Sequence, residues 1–228
     1  MLRSLGRWPL FSLVLVVVVA CARPGIQLEP GADRFPPAPT GMSREAWVQA
    51  HAAFARVREE HRAAREILAI IDYSLPSSEP RLWVVDTRAD TVVARDYVAH
   101  GWASGSTWPY QFSNRWGSNQ SSLGVFLTRE AYSGVRGISL RLEGLEPGIN
   151  DRALARGIVV HGSPFVTAIR ASQGNLGRTE GCPAVPMSSA RNLVHLLEGG
   201  AVVFAWYPDP GYLDKSRFLD KQRIANSE

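Results

Sequence analysis

The sequence predicts a mainly β domain preceded by one long N-terminal helix, and three observations carry that expectation. From Arg81 onward come six short runs rich in β-branched and aromatic residues, RLWVVDT, TVVARDYVAH, LGVFLTR, GISLRL, GIVVH and AVVFAWY, broken by Gly, Asp and Asn. Ahead of them, Trp47, Ala50, Phe54, Val57, His61, Ala64, Leu68 and Ile71 recur in steps of three and four, the spacing of one helical stripe. Only one further helix is clear, from Ser189 to Glu198, opened by a serine and closed by Gly199-Gly200.

Taken in chain order, residues 1–20 read as a signal peptide. Arg3 and Arg7 precede the apolar run Leu10 to Ala20, whose eleven residues are too few to span a bilayer as a helix. The run ends in Val18-Val19-Ala20-Cys21, which resembles the lipobox of bacterial lipoproteins, so Cys21 is expected to be the lipidation site. Residues 21–42 carry several prolines and glycines and few apolar residues, the composition of a tether. Residues 43–72 form the amphipathic helix, capped by Ser43, with Glu45 suited to its dipole, and packing on the domain is preferred to a coiled-coil partner. The strand-rich domain follows over 73–210, and 211–228 is a charged tail.

Within the domain, Gly101 to Ser122, GWASGSTWPYQFSNRWGSNQSS, is too long and polar for a tight turn and carries Trp102, Trp108 and Trp116. Long loops of this kind line sites, so Trp108 is read as a substrate contact, the alternative being that these rings cover a core edge. The formal charge of +4 suits an acidic partner, but no arginine-rich run or interleaved aromatic stripe is present, and nucleic acid is excluded as a partner.

Cysteine usage sharpens the question of function. The chain has two cysteines, and if Cys21 is consumed by the anchor, Cys182 is the one remaining thiol of an exported protein. A thiol becomes a nucleophile where a neighbouring imidazole or dipole favours the thiolate. His161 ends the apolar strand GIVV, and Gly162 follows it without a side chain to obstruct approach. Gly181 lets a substrate carbonyl come close, and the N–H groups of Gly181 and Cys182 can form an oxyanion hole. The alternative is a buried, inert cysteine. A zinc site drawing on Cys182, His100 and His161 lacks the close paired ligands of a zinc motif. A papain-type arrangement would need cysteine before histidine, the reverse of the order here.

The segment VVHGSPF, followed after a short loop by GNLGRTEGCPAVP, resembles the signature of the murein L,D-transpeptidase catalytic domain family, in the branch where a His-Gly pair precedes Gly-Cys-Pro. The resemblance extends from about Ile70 to Pro208, through VAHGWASG, FSNRWGSNQSSLGVF and AYSGVRGISLRLEGLEPGINDRALARGIVVHG. It implies a β-sandwich with short helices, a cysteine acyltransferase acting on peptidoglycan stem peptides, no cofactor or metal, a monomer, and a place in the cell envelope; the alternatives are an L,D-carboxypeptidase using the same thioester and a non-catalytic peptidoglycan-binding lipoprotein. Carried over, Cys182 is the nucleophile, His161 the base, and the Gly162 carbonyl orients the imidazole. The chain departs from better-studied members, which have Ser-His-Gly-Cys followed by an arginine; here Thr179-Glu180-Gly181-Cys182 leads into Pro183. Recognition of a substrate carboxylate then falls to another residue. Arg178 is the candidate, with a solvated or structural role as the alternative. His100, in VAHG, also fits the branch, as a substrate contact or as a packing residue.

Overall fold

The computed structural model describes residues 35–174, 176 and 178–222. The signal peptide, Cys21 and most of the expected tether lie outside the described residues. Helix α1 spans Arg44–Glu59, α2 Ala168–Ser172, α3 Met187–Leu197 and α4 Pro210–Lys215. The strands are β1 Ile67–Asp72, β2 Leu82–Asp86, β3 Thr91–Asp96, β4 Gly124–Gly134, β5 Gly137–Gly144, β6 Val159–Ser163, β7 Ala184–Pro186 and β8 Val202–Trp206. The domain is mainly β as expected, and its eight strands join in one continuous ladder, β3-β2-β1-β8-β4-β5-β6-β7.

The Ser43 side chain caps α1 by accepting from the Ala46 N–H at 3.1 Å. The helix is shorter than its 43–72 pattern implied. The Arg62 N–H reaches back to the Val57 carbonyl and the His61 N–H to that of Arg58, with His61 at φ 54°, a left-handed stop that usually falls to glycine. Beyond it, Leu68 and Ile71 belong to β1, which runs parallel to β8 in the middle of the sheet. A central strand is apolar on both faces, so its residues can continue a helical stripe by coincidence. Trp47, Phe54 and Val57 of α1 are buried in the same core as β1 and β8, as expected for packing on the domain.

Both ends of the described chain fold onto α1. The Pro36 carbonyl accepts from Trp47 Nε1 at 2.8 Å. At the other end the charged tail is structured as far as Asp220: Tyr212, Phe218 and Leu219 are buried, and Gln49 Oε1 accepts from the Asp220 N–H at 2.8 Å. Tail residues therefore supply core as well as charge.

Candidate active site

The site lies on one face of the β4-β5-β6-β7 half of the sheet. Cross-strand partners run Tyr132↔Ser139, Ser139↔His161 and His161↔Ala184, so one row crosses four strands. Side chains on one row share a face. A cavity of about 170 Å³ opens over it, lined by Tyr132, Ser139 and His161 from the row and by Arg136, Glu180 and Cys182. Cys182 lies two residues before Ala184, which keeps it on the histidine's side of the sheet.

His161 is nearly fully buried, and its Nδ1–H donates to the Gly162 carbonyl at 2.8 Å. A carbonyl only accepts, so Nδ1 carries the proton and Nε2 is left as the acceptor. Burial lowers the imidazole pKa below its ordinary value; the bond to Gly162 opposes this, and the positive charge of Arg136 adds to it. The resting ring is a neutral base. Cys182 is half-buried, and burial raises its thiol pKa; the Val159 N–H and the charges of Arg136 and Arg156 work against burial, whereas Glu180 adds to it. The thiol sits 3.6 Å from the Gly157 carbonyl. Both groups rest uncharged, an arrangement in which proton transfer accompanies attack.

Two glycines expected to clear a substrate's path answer to the protein's own packing. A Cβ on Gly162 would meet Met187 Sδ at 2.7 Å and Ala190 Cβ at 3.0 Å, so the missing side chain admits α3. Gly181 adopts φ 124°, and a Cβ there would lie 2.8 Å from the Gln120 carbonyl. Its N–H donates to Thr179 Oγ1 at 3.1 Å, whose hydroxyl in turn donates to the Cys182 carbonyl at 2.6 Å. Gly181 therefore has its N–H engaged in the resting structure, which corrects the expected pair of oxyanion donors. The Cys182 N–H has no hydrogen-bond partner among the described residues and remains as a donor.

Thr179 is tied at the backbone as well: its N–H donates to the His100 carbonyl at 2.9 Å and its carbonyl accepts from Trp102 at 2.7 Å. His100 is fully buried, which corrects its reading as a substrate contact. Its Nδ1 accepts from Arg81 Nη2 at 2.7 Å, and burial, then the Arg81 charge, pull its pKa down to about 3. Arg81 is itself buried, donates to the Val98 and Leu75 carbonyls, and lies 5.0 Å from the Tyr73 ring. This polar post holds the strand-like segment that carries Thr179.

The other expected contacts also fall elsewhere. Arg178 is exposed, donates to the Gly105 carbonyl at 3.2 Å and does not line the cavity. Trp108 is 55% exposed and likewise off the cavity wall, so it neither contacts this pocket nor covers a core edge. The loop that carries it still bears on the site through Arg156, which composition alone does not single out. Arg156 donates to the Ser113 carbonyl at 2.5 Å, the Ser122 hydroxyl at 2.6 Å and the Gln120 carbonyl at 2.7 Å, and its charge favours the Cys182 thiolate. Tyr132, Ser139 and Arg136 were also not foreseen, since only the register of the β4–β5 hairpin brings them here.

A family profile described as the L,D-transpeptidase catalytic domain matches residues 39–206, most of the chain and all of this site. The chain belongs to that family. Among solved structures, the L,D-transpeptidase domain is similar to an L,D-transpeptidase from Mycobacterium smegmatis at 14% identity and TM-score 0.39, covering 62% of this chain and 59% of that one. It is similar to the helical cell shape determining protein Pgp2 from Campylobacter jejuni at 10% identity and TM-score 0.41, covering 71% and 57%. It also matches Bdellovibrio bacteriovorus Bd1075 at 16% identity and TM-score 0.39, covering 74% and 58%. The chain thus spans less than two thirds of each of these structures. No curated protein matches it. Among the described residues, no helix is long and apolar enough to cross a membrane, and no cluster of three or more His, Cys, Asp or Glu could hold a metal ion.

Proposed function

We propose that the protein is a peptidoglycan-modifying cysteine acyltransferase that acts on stem tetrapeptides through a thioester at Cys182. The observation that carries this is the shared cavity wall, where a half-buried thiol and a neutral, oriented imidazole face the same space. Cys182 Sγ attacks the carbonyl of the third stem residue as His161 Nε2 accepts the thiol proton. The oxygen that gains charge is placed to take the Cys182 N–H. Collapse of the tetrahedral adduct breaks the amide bond, and the imidazolium returns its proton to the departing amine. The thioester then passes its acyl group to the side-chain amine of a second stem, or to water.

Export and a lipid anchor at Cys21 complete the proposal, and they rest on the leader and the Val-Val-Ala-Cys junction. Two acyl chains on that residue would hold the domain stably at a membrane surface. Mass analysis of products after incubation of purified protein with tetrapeptide muropeptides tests the reaction. Cross-linked dimers support acyl transfer, trimmed tripeptides alone place water as the acceptor, and no product from folded protein refutes the enzyme.

A further inference from the structure

Three arginines, Arg136, Arg156 and Arg178, are candidates to meet a substrate anion, and their geometry separates their roles. Arg156 is committed to the 113–122 segment through its bonds to Ser113, Ser118, Ser122 and Gln120. Arg178 is turned to the Gly105 carbonyl. Arg136 differs from both: it lines the cavity, and no hydrogen bond or ion pair ties its guanidinium to any described residue.

Its place is set by the β4–β5 hairpin. Gly134 pairs with Gly137, leaving Val135 and Arg136 as a two-residue turn, with Gly137 at φ 78°. The register shift between Thr128 and Ala131 bends β4 on its way to that turn. Arg141 lies 4.5 Å from the Tyr132 ring, which bears on Gly134 and braces the hairpin. The tip therefore holds a guanidinium near both reacting groups, and its charge is felt by His161 and Cys182 alike. Glu180 is the anionic group on the same wall, so the cavity has one cationic and one anionic flank.

We propose that Arg136 is the residue that recognises the substrate's carboxylate, binding the terminal carboxylate of the residue that leaves when Cys182 attacks. The inference deepens the acyltransferase reading and rests on it for the identity of the donor. A planar guanidinium without a protein partner matches a carboxylate through two parallel N–H donors. That carboxylate belongs to the residue directly after the attacked amide, within reach of a side chain on the cavity rim. Glu180 also lines the cavity and repels an anion, so the carboxylate is left to Arg136. The task that Arg178 does not fill is thereby met from a different strand.

Two arms of one experiment test this. In the first, steady-state kinetics compare donors whose terminal carboxylate is free or amidated, in wild type, Arg136→Ala and Arg136→Lys. The alanine variant should raise KM for the free-acid donor on the order of ten- to a hundredfold relative to any change seen with the amidated donor, and be partly rescued by lysine. In the second arm, Cys182 is alkylated with iodoacetate and with uncharged iodoacetamide. Both reagents need the thiolate, so their rate ratio reports attraction of an anion alone. Arg136→Ala should lower that ratio about fivefold. An active wild type with unchanged KM in Arg136→Ala overturns the inference and leaves the acyltransferase reading standing. If wild type turns over no stem peptide, that reading fails, and the alkylation ratio alone decides: a fall supports anion recognition by Arg136, and an unchanged ratio overturns it. Arg136 is exposed on a turn, so the variants are expected to fold; wild-type melting temperatures verify it.

Discussion

Thr179→Val removes one oxygen from the site and leaves almost everything else in place. Valine keeps the branched shape, and the backbone bonds to His100 and Trp102 do not depend on the side chain. What disappears is the hydroxyl that bridges the Gly181 N–H and the Cys182 carbonyl. At about 0.5–1.5 kcal/mol net per hydrogen bond, two lost bonds amount to roughly 1–3 kcal/mol. For a domain of this size each kcal/mol moves the melting temperature by about 2–4 °C, so a fall of roughly 2–12 °C is expected in a thermal melt. If the loosening is confined to residues 179–182, the same free energy must be recovered to restore the nucleophile's position in the transition state. That bounds the loss of acylation rate at about five- to 150-fold. Intact-mass kinetics with a carbapenem, whose strained amide is a reactive acyl donor, measure this rate directly. Thr179→Ser should retain most of it. A Thr179→Val protein that melts and acylates like wild type would refute the idea that this hydroxyl positions Cys182.

Three other outcomes are expected. His161→Ala should slow acylation by about 100- to 10,000-fold, the range of a positioned base, in protein that a thermal melt shows to be folded, and Cys182→Ser should carry no adduct on the same timescale; equal labelling of the serine variant would remove Cys182 from the chemistry. Because burial and then Glu180 raise the Cys182 pKa, Glu180→Gln should move the rising limb of the alkylation-versus-pH profile toward lower pH; a shift toward higher pH would show that Glu180 does not act on the thiolate through its charge. Cys21→Ser should abolish detergent partitioning of the full chain, and partitioning that survives the change would mean that the anchor lies elsewhere.

The fold class was legible because it rests on short-range pattern. Runs such as GIVV and AVVFAW fix strands, and Gly-Cys-Pro downstream of His-Gly picks out two residues that the fold brings to one cavity. What escaped was whatever depends on register or on a stop signal. The stripe from Trp47 to Ile71 hid the end of α1, because a histidine took the left-handed stop and the central strand after it is apolar on both faces. Arg136 was obscured for a similar reason. Its turn, Gly-Val-Arg-Gly, is readable as a hairpin, yet the pairing of Ser139 with His161 that swings this hairpin over Cys182 joins residues far apart in the chain. His100 was singled out by its place in VAHG, as a substrate contact or a packing residue, and it is buried against Arg81.

The electrostatic setting of the unpaired cysteine is a balance of opposing influences, of which burial is the largest and holds the resting thiol neutral. An inert buried cysteine needs only apolar neighbours. Cys182 has two guanidinium groups and the Val159 N–H acting on its thiolate, against burial and one carboxylate. The segment that carries it is held by bonds unrelated to apolar packing: Thr179 bridges Gly181 and Cys182, and Gly181 takes a backbone angle that other residues rarely adopt, pressed against the Gln120 carbonyl. Glycine takes this angle without the clash a Cβ would bring, and its surroundings hold it there. Those surroundings are the Arg156 clamp on one side and the Arg81–His100 post on the other. The first places a half-buried charge that favours the Cys182 thiolate, and the thiol faces the cavity shared with His161.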